Sequence, residues 1–527
     1  MAIALGLGYS CHPHFRLNSS LLRRVSNVRL SCIAAIETID DPDAFSTDSV
    51  IHHERGAEGT KMRSEWKRLS SKGLGITNSM ISKPTRIVLN GLKRKGFDVY
   101  LVGGCVRDLI LKRTPKDFDV LTTAELKEVT KTFSWCEIVG KRFPICHVHV
   151  GDDIVEVSSF STSARNHSMD SGLVFERHEH DDCDEKDYIR WRNCMQRDLT
   201  INGLMFDPYV NIIYDYVGGL DDIKKAKVRT INPASFSLVE DCARILRAIR
   251  IAARLGFGFS RETARAIKNL AHSVLLLDKG RQLMEMNYML AYGSGEPSLR
   301  LLWRFGLLEL LLPIQAAYFV RDGFRRRDKK TNMLLSLFSN LDKLLAPDRP
   351  CHSSLWVAIL AFHMAFLDRP RDPLVVAVFS LAIHNGGDME EAISIAKRIS
   401  TPHAKIYHEL SEPRDLDPKA LKKEVLNLGV SVSRALSNMT DSYYVSQAMS
   451  SYPKAPYSDL VFVSLHLYLK AVKIFECVSQ GKEARFVAKQ GGKINYELLG
   501  MGSLQEVRHV FARVVFDTVY PLDLGCD

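Results

Sequence analysis

The 527-residue chain contains no run of the roughly 18 consecutive apolar residues that a membrane-spanning helix needs. Its best candidate, Leu355 to Leu367, is too short and carries His363, so it reads as a buried helix. The eleven cysteines are odd in number, scattered, and include no C-x-x-C pair. That pattern argues against a disulfide scaffold and a zinc ribbon, and fits a reducing compartment. No repeat of fixed period is present, which argues against a solenoid. From Met1 to Ile36 there is no Asp or Glu, while Arg16, Arg23, Arg24 and Arg29 sit among serines, the composition of an organelle transit peptide of chloroplast or mitochondrial type. The 46% hydrophobic and 25% charged fractions are those of a soluble globular protein. At this length three or four structural units are expected, and the net charge of +10 suits an anionic partner.

Residues 37–83 read as a linker, Ser/Thr-rich and acidic to about residue 60 and then helical as far as Lys83, with Pro84 as a boundary. From 84 to 232 the pattern is α/β. Val99 to Gly104, Phe118 to Thr122, Glu137 to Gly140, His147 to Val150 and Ile154 to Phe160 are short β-prone runs between turns and helical segments. Residues 161–190 interrupt this unit with a polar stretch whose His, Asp and Cys residues lack the spacing of a zinc knuckle. From Pro233 strands nearly vanish and helical periodicity takes over. The fold class is therefore α+β, an α/β head over 84–232 followed by an all-helical neck (233–300) and an all-helical body and tail (301–527). A basic cluster, Arg325-Arg-Arg327 with Lys329 and Lys330, lies between body helices.

The segment from Val99 to Thr122 carries the chemistry. An apolar strand runs into Gly103-Gly104, where the lack of side chains lets backbone N–H groups approach a phosphate, and a helix follows whose N-terminal end favours negative charge. A second strand then carries Asp117 and Asp119. Strand side chains alternate, so two residues two apart share a face and both carboxylates can hold the same metal ions. Two Mg²⁺ ions bridging such a pair activate an attacking hydroxyl and stabilise a leaving pyrophosphate.

Leu101-Val-Gly-Gly-Cys-Val-Arg-Asp108 with Asp117-Phe-Asp119 resembles the signature of the class II tRNA nucleotidyltransferase and bacterial-type poly(A) polymerase family. Further blocks match in order. Ile154-Val-Glu-Val-Ser-Ser-Phe160 resembles the strand whose acidic residue, here Glu156, completes the carboxylate set. Arg197-Asp-Leu-Thr-Ile-Asn202 resembles the R-R-D-F-T-I-N motif, Asp215-Tyr-Val-Gly-Gly-Leu-Asp-Asp222 the D-x-x-G-G-x-x-D connector, and Glu240-Asp-Cys-Ala-Arg244 the start of the E-D-x-x-R helix. The resemblance implies a nucleotidyltransferase head and template-independent addition of nucleotides to an RNA 3′ end, with Mg²⁺ as cofactor, ATP and possibly CTP as substrate, and RNA gripped by the helical body. It gives the catalytic acids as Asp117, Asp119 and Glu156, the first two also holding metal. It assigns the triphosphate to Gly103, Gly104, Arg107 and Arg197, and the ribose to Asp198 with Asn202. Asp241 and Arg244, three apart on a helical face, would read the amino group and ring nitrogen that adenine and cytosine share, and Arg247 would follow toward phosphate.

Poly(A) and CCA addition share these blocks. Ile138-Val-Gly-Lys-Arg-Phe-Pro-Ile-Cys-His-Val148 resembles the pattern that marks the poly(A) enzymes, and favours addition of AMP from ATP over CCA addition. Two departures stand out: Gln196 replaces the first Arg of R-R-D, and Gly203 replaces the usual Ala or Ser after Asn202. A non-catalytic RNA-binding homologue is the competing class, and the retained Asp117 and Asp119 count against it.

Overall fold

The structure, a computed structural model, describes residues 66–140, 144–165, 184–367, 369–451 and 463–521. The expected transit peptide, residues 37–65 of the expected linker, Lys141-Arg-Phe143 of the hairpin motif and the acidic segment 166–183 lie outside the described residues.

The head is built on an eight-stranded mixed sheet. Its strands are β1 (Lys67–Ser70), β2 (Val99–Val102), β3 (Asp119–Thr122), β4 (Cys136–Val139), β5 (Ile145–Val150), β6 (Asp153–Ser159), β7 (Leu204–Asp207) and β8 (Ile212–Asp215), in the order β1-β8-β7-β2-β3-β6-β5-β4. β2 (VYLV) is buried along its whole length, as an apolar strand covered on both faces must be. It pairs antiparallel with β3 and β7, while β3 pairs parallel with β6.

Two elements depart from the sequence reading. The stretch leading to Lys83 holds no α-helix, only a single 3-10 turn at Asn78–Met80: β1 pairs with β8 and extends the sheet. β1 is an edge strand whose only apolar residue is Leu69, so it leaves almost no hydrophobic period to read. Pro84 does mark the start of a helix, α1 (Lys83–Arg94), capped by the Ser82 hydroxyl accepting from the Thr85 N–H. Helices α2 (Gly104–Ile110), α3 (Leu126–Thr132) and α4 (Phe160–Arg165) follow. The polar stretch read as 161–190 is helical from its two ends, in α4 and in α5 (Glu185–Met195). In α5 the acidic Asp187 is buried, taking a hydrogen bond from Tyr216 at 2.5 Å and an ion pair from Arg190 at 2.9 Å, so a charge within this polar stretch is internal. Trp191 and Cys194 join Tyr100, Tyr214 and Tyr216 in a second small core on that side of the sheet.

After α6 (Gly219–Lys224) come α7 (Ala234–Glu240), α8 (Ala243–Leu255), α9 (Arg261–Asn269), α10 (Lys279–Leu290) and α11 (Gly295–Arg304), and helices continue to Val519. A two-stranded parallel sheet, β9 (Lys227–Val228) with β10 (Gly258–Phe259), links the head to this region. α8 buries Ile245, Leu246, Ile249 and Ala252 at helical spacing against α10 and α11 and leaves Arg244, Arg247 and Arg250 along its other side. The apolar run at 355 is the buried helix expected, from Ser353 to Met364. In the basic cluster Arg325, Arg326 and Arg327 are all exposed, and Arg326 lays its guanidinium 3.9 Å from the Trp303 ring centre and pairs with Glu309. Among the described residues no helix is long and apolar enough to cross a membrane, and the seven described cysteines are free thiols.

Candidate active site

The site is assembled where β2 ends and β3 begins. Gly103 has φ +79°, a conformation that favours glycine, and lets the chain turn from β2 into α2. A Cβ there would lie 3.0 Å from Arg197 Nη1 and 3.3 Å from Asp119 Oδ2, so a guanidinium and a carboxylate converge over a bare backbone. Asp119 opens β3 and stands directly opposite Glu156 in the parallel register with β6. Burial raises the Asp119 carboxyl; Arg197 pulls it down, Glu156 and Asp117 raise it further, and Arg247 adds a second opposing pull.

Asp117 does not lie on the strand. It sits in the bend before β3, exposed, 3.8 Å from Lys116 Nζ. The alternation argument that placed both aspartates on one strand face therefore fails, although the charge of Asp117 still reaches Asp119. Among the described residues no group of three or more His, Cys, Asp or Glu side chains is arranged to hold an ion by itself. The donor set is nonetheless all oxygen, with the half-buried Asp119 carboxylate opposite Glu156 and within reach of the charge of Asp117. Mg²⁺, which binds through one or two carboxylates and keeps water and substrate phosphate as its other ligands, fits such a set.

Behind the turn runs a chain of hydrogen bonds. Arg107 Nη1 donates to Asn202 Oδ1 at 2.6 Å, and Asn202 Nδ2 donates to Asp198 Oδ1 at 3.2 Å. Asp198 Oδ2 lies 3.3 Å from Arg247 Nε. Arg107, expected as a triphosphate ligand, has its guanidinium engaged within the protein. The side chain is buried, and its remaining nitrogens are held by Asp108 at 2.8–2.9 Å, so it braces the Gly103-Gly104 turn from within. Arg197 is the cation left facing the site, and its buried Nε has no hydrogen-bond partner among the described residues.

Asp241 and Arg244 are also placed differently from the expectation of one helical face. α7 ends at Glu240, Asp241 is extended (φ −144°, ψ 100°), and its Oδ1 accepts from the Ala243 N–H at the start of α8. Arg244 Nη1 donates to Ser237 Oγ at 2.9 Å and to Glu240 Oε2 at 2.8 Å. The pair thus straddles a helix break. Ser237 and Glu240, which orient the arginine, had no role in the sequence reading; the i, i+4 spacing of Glu240 and Arg244 was the available signal. Arg247 reaches Asp198 as described, and Arg250 turns to Glu285 at 3.4 Å and to the Tyr288 ring at 4.6 Å, away from the turn.

Gly203 has a packing reason. A Cβ on it would lie 2.6 Å from Val217 Cγ2 and 3.2 Å from Ile231 Cδ1. Gly203→Ala is therefore expected to destabilise the head by about 1–3 kcal/mol through overpacking, read as a lower urea midpoint with an unchanged m-value.

Residues 99–229 match the family model described as the poly A polymerase head domain, and residues 256–319 match the one described as the probable RNA and SrmB-binding site of polymerase A. The poly(A) polymerase I of Haemophilus influenzae is 33% identical over 269 residues, 49% of this chain and 57% of that protein. A CCA-adding enzyme of Staphylococcus aureus is 30% identical over 207 residues, 39% of this chain and 49% of that one. The chain thus spans about half the length of the curated relatives it matches. The crystal structure of the Bacillus stearothermophilus CCA-adding enzyme in complex with CTP is similar at 21% identity and a TM-score of 0.40, over 76% of this chain and 94% of that one. The poly A polymerase head match begins at the first residue of β2 and includes the Gly103 turn, Asp119, Glu156 and the Arg197 to Asn202 segment.

Proposed function

We propose that the protein is a template-independent RNA 3′-terminal nucleotidyltransferase that adds AMP from ATP to RNA. The observation that carries this reading is the convergence of Asp119 and Arg197 on the bare Gly103 turn, with Glu156 opposite Asp119 on the next strand. A nucleoside triphosphate laid on the turn would meet the Gly103-Gly104 backbone and the Arg197 guanidinium, a charge-assisted donor for phosphate oxygen. Asp117, Asp119 and Glu156 would hold Mg²⁺, which when bound supplies Lewis-acid stabilisation of the phosphoryl charge. Asp198, held by Asn202 and facing Arg247, would orient the ribose. The RNA 3′-oxygen then forms the new bond to the α-phosphorus of ATP while the bond to pyrophosphate breaks, and the hydroxyl proton leaves toward the carboxylates.

The exposed Asp241 would accept from the exocyclic amino group of the base and Arg244, preset by Ser237 and Glu240, would donate to the ring nitrogen. A good bidentate contact is worth about 1–3 kcal/mol of discrimination. Arg244→Ala and Asp241→Ala are each expected to reduce the preference for ATP over GTP and UTP by about 5- to 150-fold, measured as kcat/KM for each nucleotide on one primer.

The deciding experiment is primer extension by the full chain with Mg²⁺ and each nucleotide singly and mixed, on an unstructured RNA and on a tRNA ending before CCA. Repeated addition of A from ATP alone on both RNAs supports the reading. Addition of C, C, then A, stopping there on the tRNA, makes the protein a CCA-adding enzyme, an activity with which the Staphylococcus aureus likeness is compatible. RNA binding without any product overturns both. The acid-free, arginine-containing first 36 residues support delivery to a chloroplast or mitochondrion, tested by fusing them to a fluorescent protein.

A further inference from the structure

The acids of the site do not end at Glu156; a polar stripe continues from them across one face of the sheet to its edge. Glu156 Oε1 lies 3.8 Å from His147 Nε2 on β5. His147 pairs in register with Glu137 on β4, whose Oε1 is 3.8 Å from His149 Nε2. His149 is stacked on Trp135, with ring centres 4.7 Å apart and planes 11° from parallel. Between these residues Cys146 and Val148 point the other way and are fully buried, so the stripe lies on the face opposite that part of the core. Asp119, Glu156, His147, Glu137, His149 and Trp135 therefore follow one another over three strand spacings, about 14 Å.

Trp135 is 62% exposed, against the tendency of tryptophan to be highly buried. Its ring is not loose: His149 covers one side, Glu137 backs His149, and the His149 N–H donates to the Trp135 carbonyl at 3.0 Å. A flat, oriented aromatic face is thus held open at the end of a path that begins at the reacting carboxylates. We infer that Trp135, stacked on His149, is a platform for an unpaired base of the RNA primer, a few nucleotides upstream of the 3′ end that reacts at Asp119. The inference rests on the RNA-extending reading above. Stacking suits a chain extended without a template, because every base presents a π-face. The neighbouring Glu137 and Glu156 disfavour phosphate contact here, so the binding at this point is through the base and carries little salt dependence of its own.

The test uses the full chain and a short 5′-labelled oligoadenylate, with binding read by fluorescence anisotropy without nucleotide. Base–aromatic stacking is worth about 1–3 kcal/mol, so Trp135→Ala is expected to weaken Kd about 5- to 150-fold. The loss should be the same at low and high salt. Trp135→Phe, which keeps a ring, should retain most of the affinity, and Trp135→Ala should leave KM for ATP unchanged while raising KM for the primer. An unchanged Kd for Trp135→Ala overturns the platform, as does equal loss in the Phe and Ala variants. If the wild-type chain transfers no nucleotide but Trp135→Ala still loses oligoadenylate binding, the platform stands and the enzymatic reading falls. If the wild-type chain extends the primer and Trp135→Ala binds it as tightly, the platform falls alone.

Discussion

Replacing Asp117 and Asp119 together by alanine is expected to abolish nucleotide addition to RNA, by at least about 10³-fold, while leaving RNA binding and the fold in place. The magnitude follows from losing several kcal/mol of phosphoryl charge stabilisation, at 1.36 kcal/mol per tenfold in rate. The two positions should not contribute equally. Asp119 is the more buried acid, faces Glu156 and lies against Gly103, whereas Asp117 is exposed in the preceding bend. Asp119→Ala alone should approach the double variant, and Asp117→Ala should fall short of it. Stability should move the other way. The Asp119 carboxyl is raised by burial and by its acidic neighbours, so removing it takes a strained charge out of the head, and Tm should hold or rise, the usual relation between a functional acid and its scaffold. Single-turnover extension with anisotropy on the same RNA checks the first part, and thermal unfolding the second. Chelating the metal should reproduce the activity loss in the wild-type chain without the Tm gain. A double variant that still extends RNA would remove these residues from the chemistry.

The residues of this site were legible to unequal degrees, for physical reasons. Gly103 and Asp119 could be read directly, because a glycine pair ending an apolar strand and an acid opening the next are local patterns. That Glu156 faces Asp119 is a fact of strand register, which no local pattern contains; only the resemblance pointed to it. Asp241 and Arg244 were misplaced because the apolar period of α8 was extended backward through Asp241. An Asp just before an Ala-rich amphipathic run is itself a helix-start signal, and here it marks the break between α7 and α8. β1 was missed because edge strands are held by backbone pairing and carry little hydrophobic pattern. The burial of Asp187 could not be read locally, because burial of a charge depends on partners distant in sequence, here Arg68 and Tyr216.

Asp215→Ala is expected to be the most destabilising single change in the head, by about 3 kcal/mol, and to impair activity although Asp215 touches no substrate in the proposed geometry. Its side chain is fully buried. Oδ1 accepts from the Val217 N–H at 3.2 Å and the Gly219 N–H at 2.9 Å, and Oδ2 from the Leu220 N–H at 2.8 Å. Gly219 and Leu220 open α6, where backbone donors have no intrahelical partner, so alanine would strand three buried N–H groups at about 1–3 kcal/mol each, less whatever relaxation recovers. The damage would travel by a short path. Gly219 packs so closely on Thr200 that a Cβ would lie 2.2 Å from its carbonyl oxygen, and the Thr200 hydroxyl donates to Asp222 at 2.6 Å. Thr200 lies between Asp198 and Asn202, the residues that orient Arg107 and Arg247. The connector motif therefore forms the floor beneath the candidate site: Asp215 fixes the turn, Gly219 admits Thr200, and Asp222 holds it. Asp215→Asn, which keeps one accepting oxygen but presents a donor toward Leu220, should fall between alanine and wild type. Urea unfolding should show a lower midpoint for both variants, and at a temperature where each remains folded KM for ATP should rise while affinity for RNA alone is retained. A variant that is destabilised but keeps wild-type KM for ATP would uncouple the turn from the site and confine Asp215 to folding.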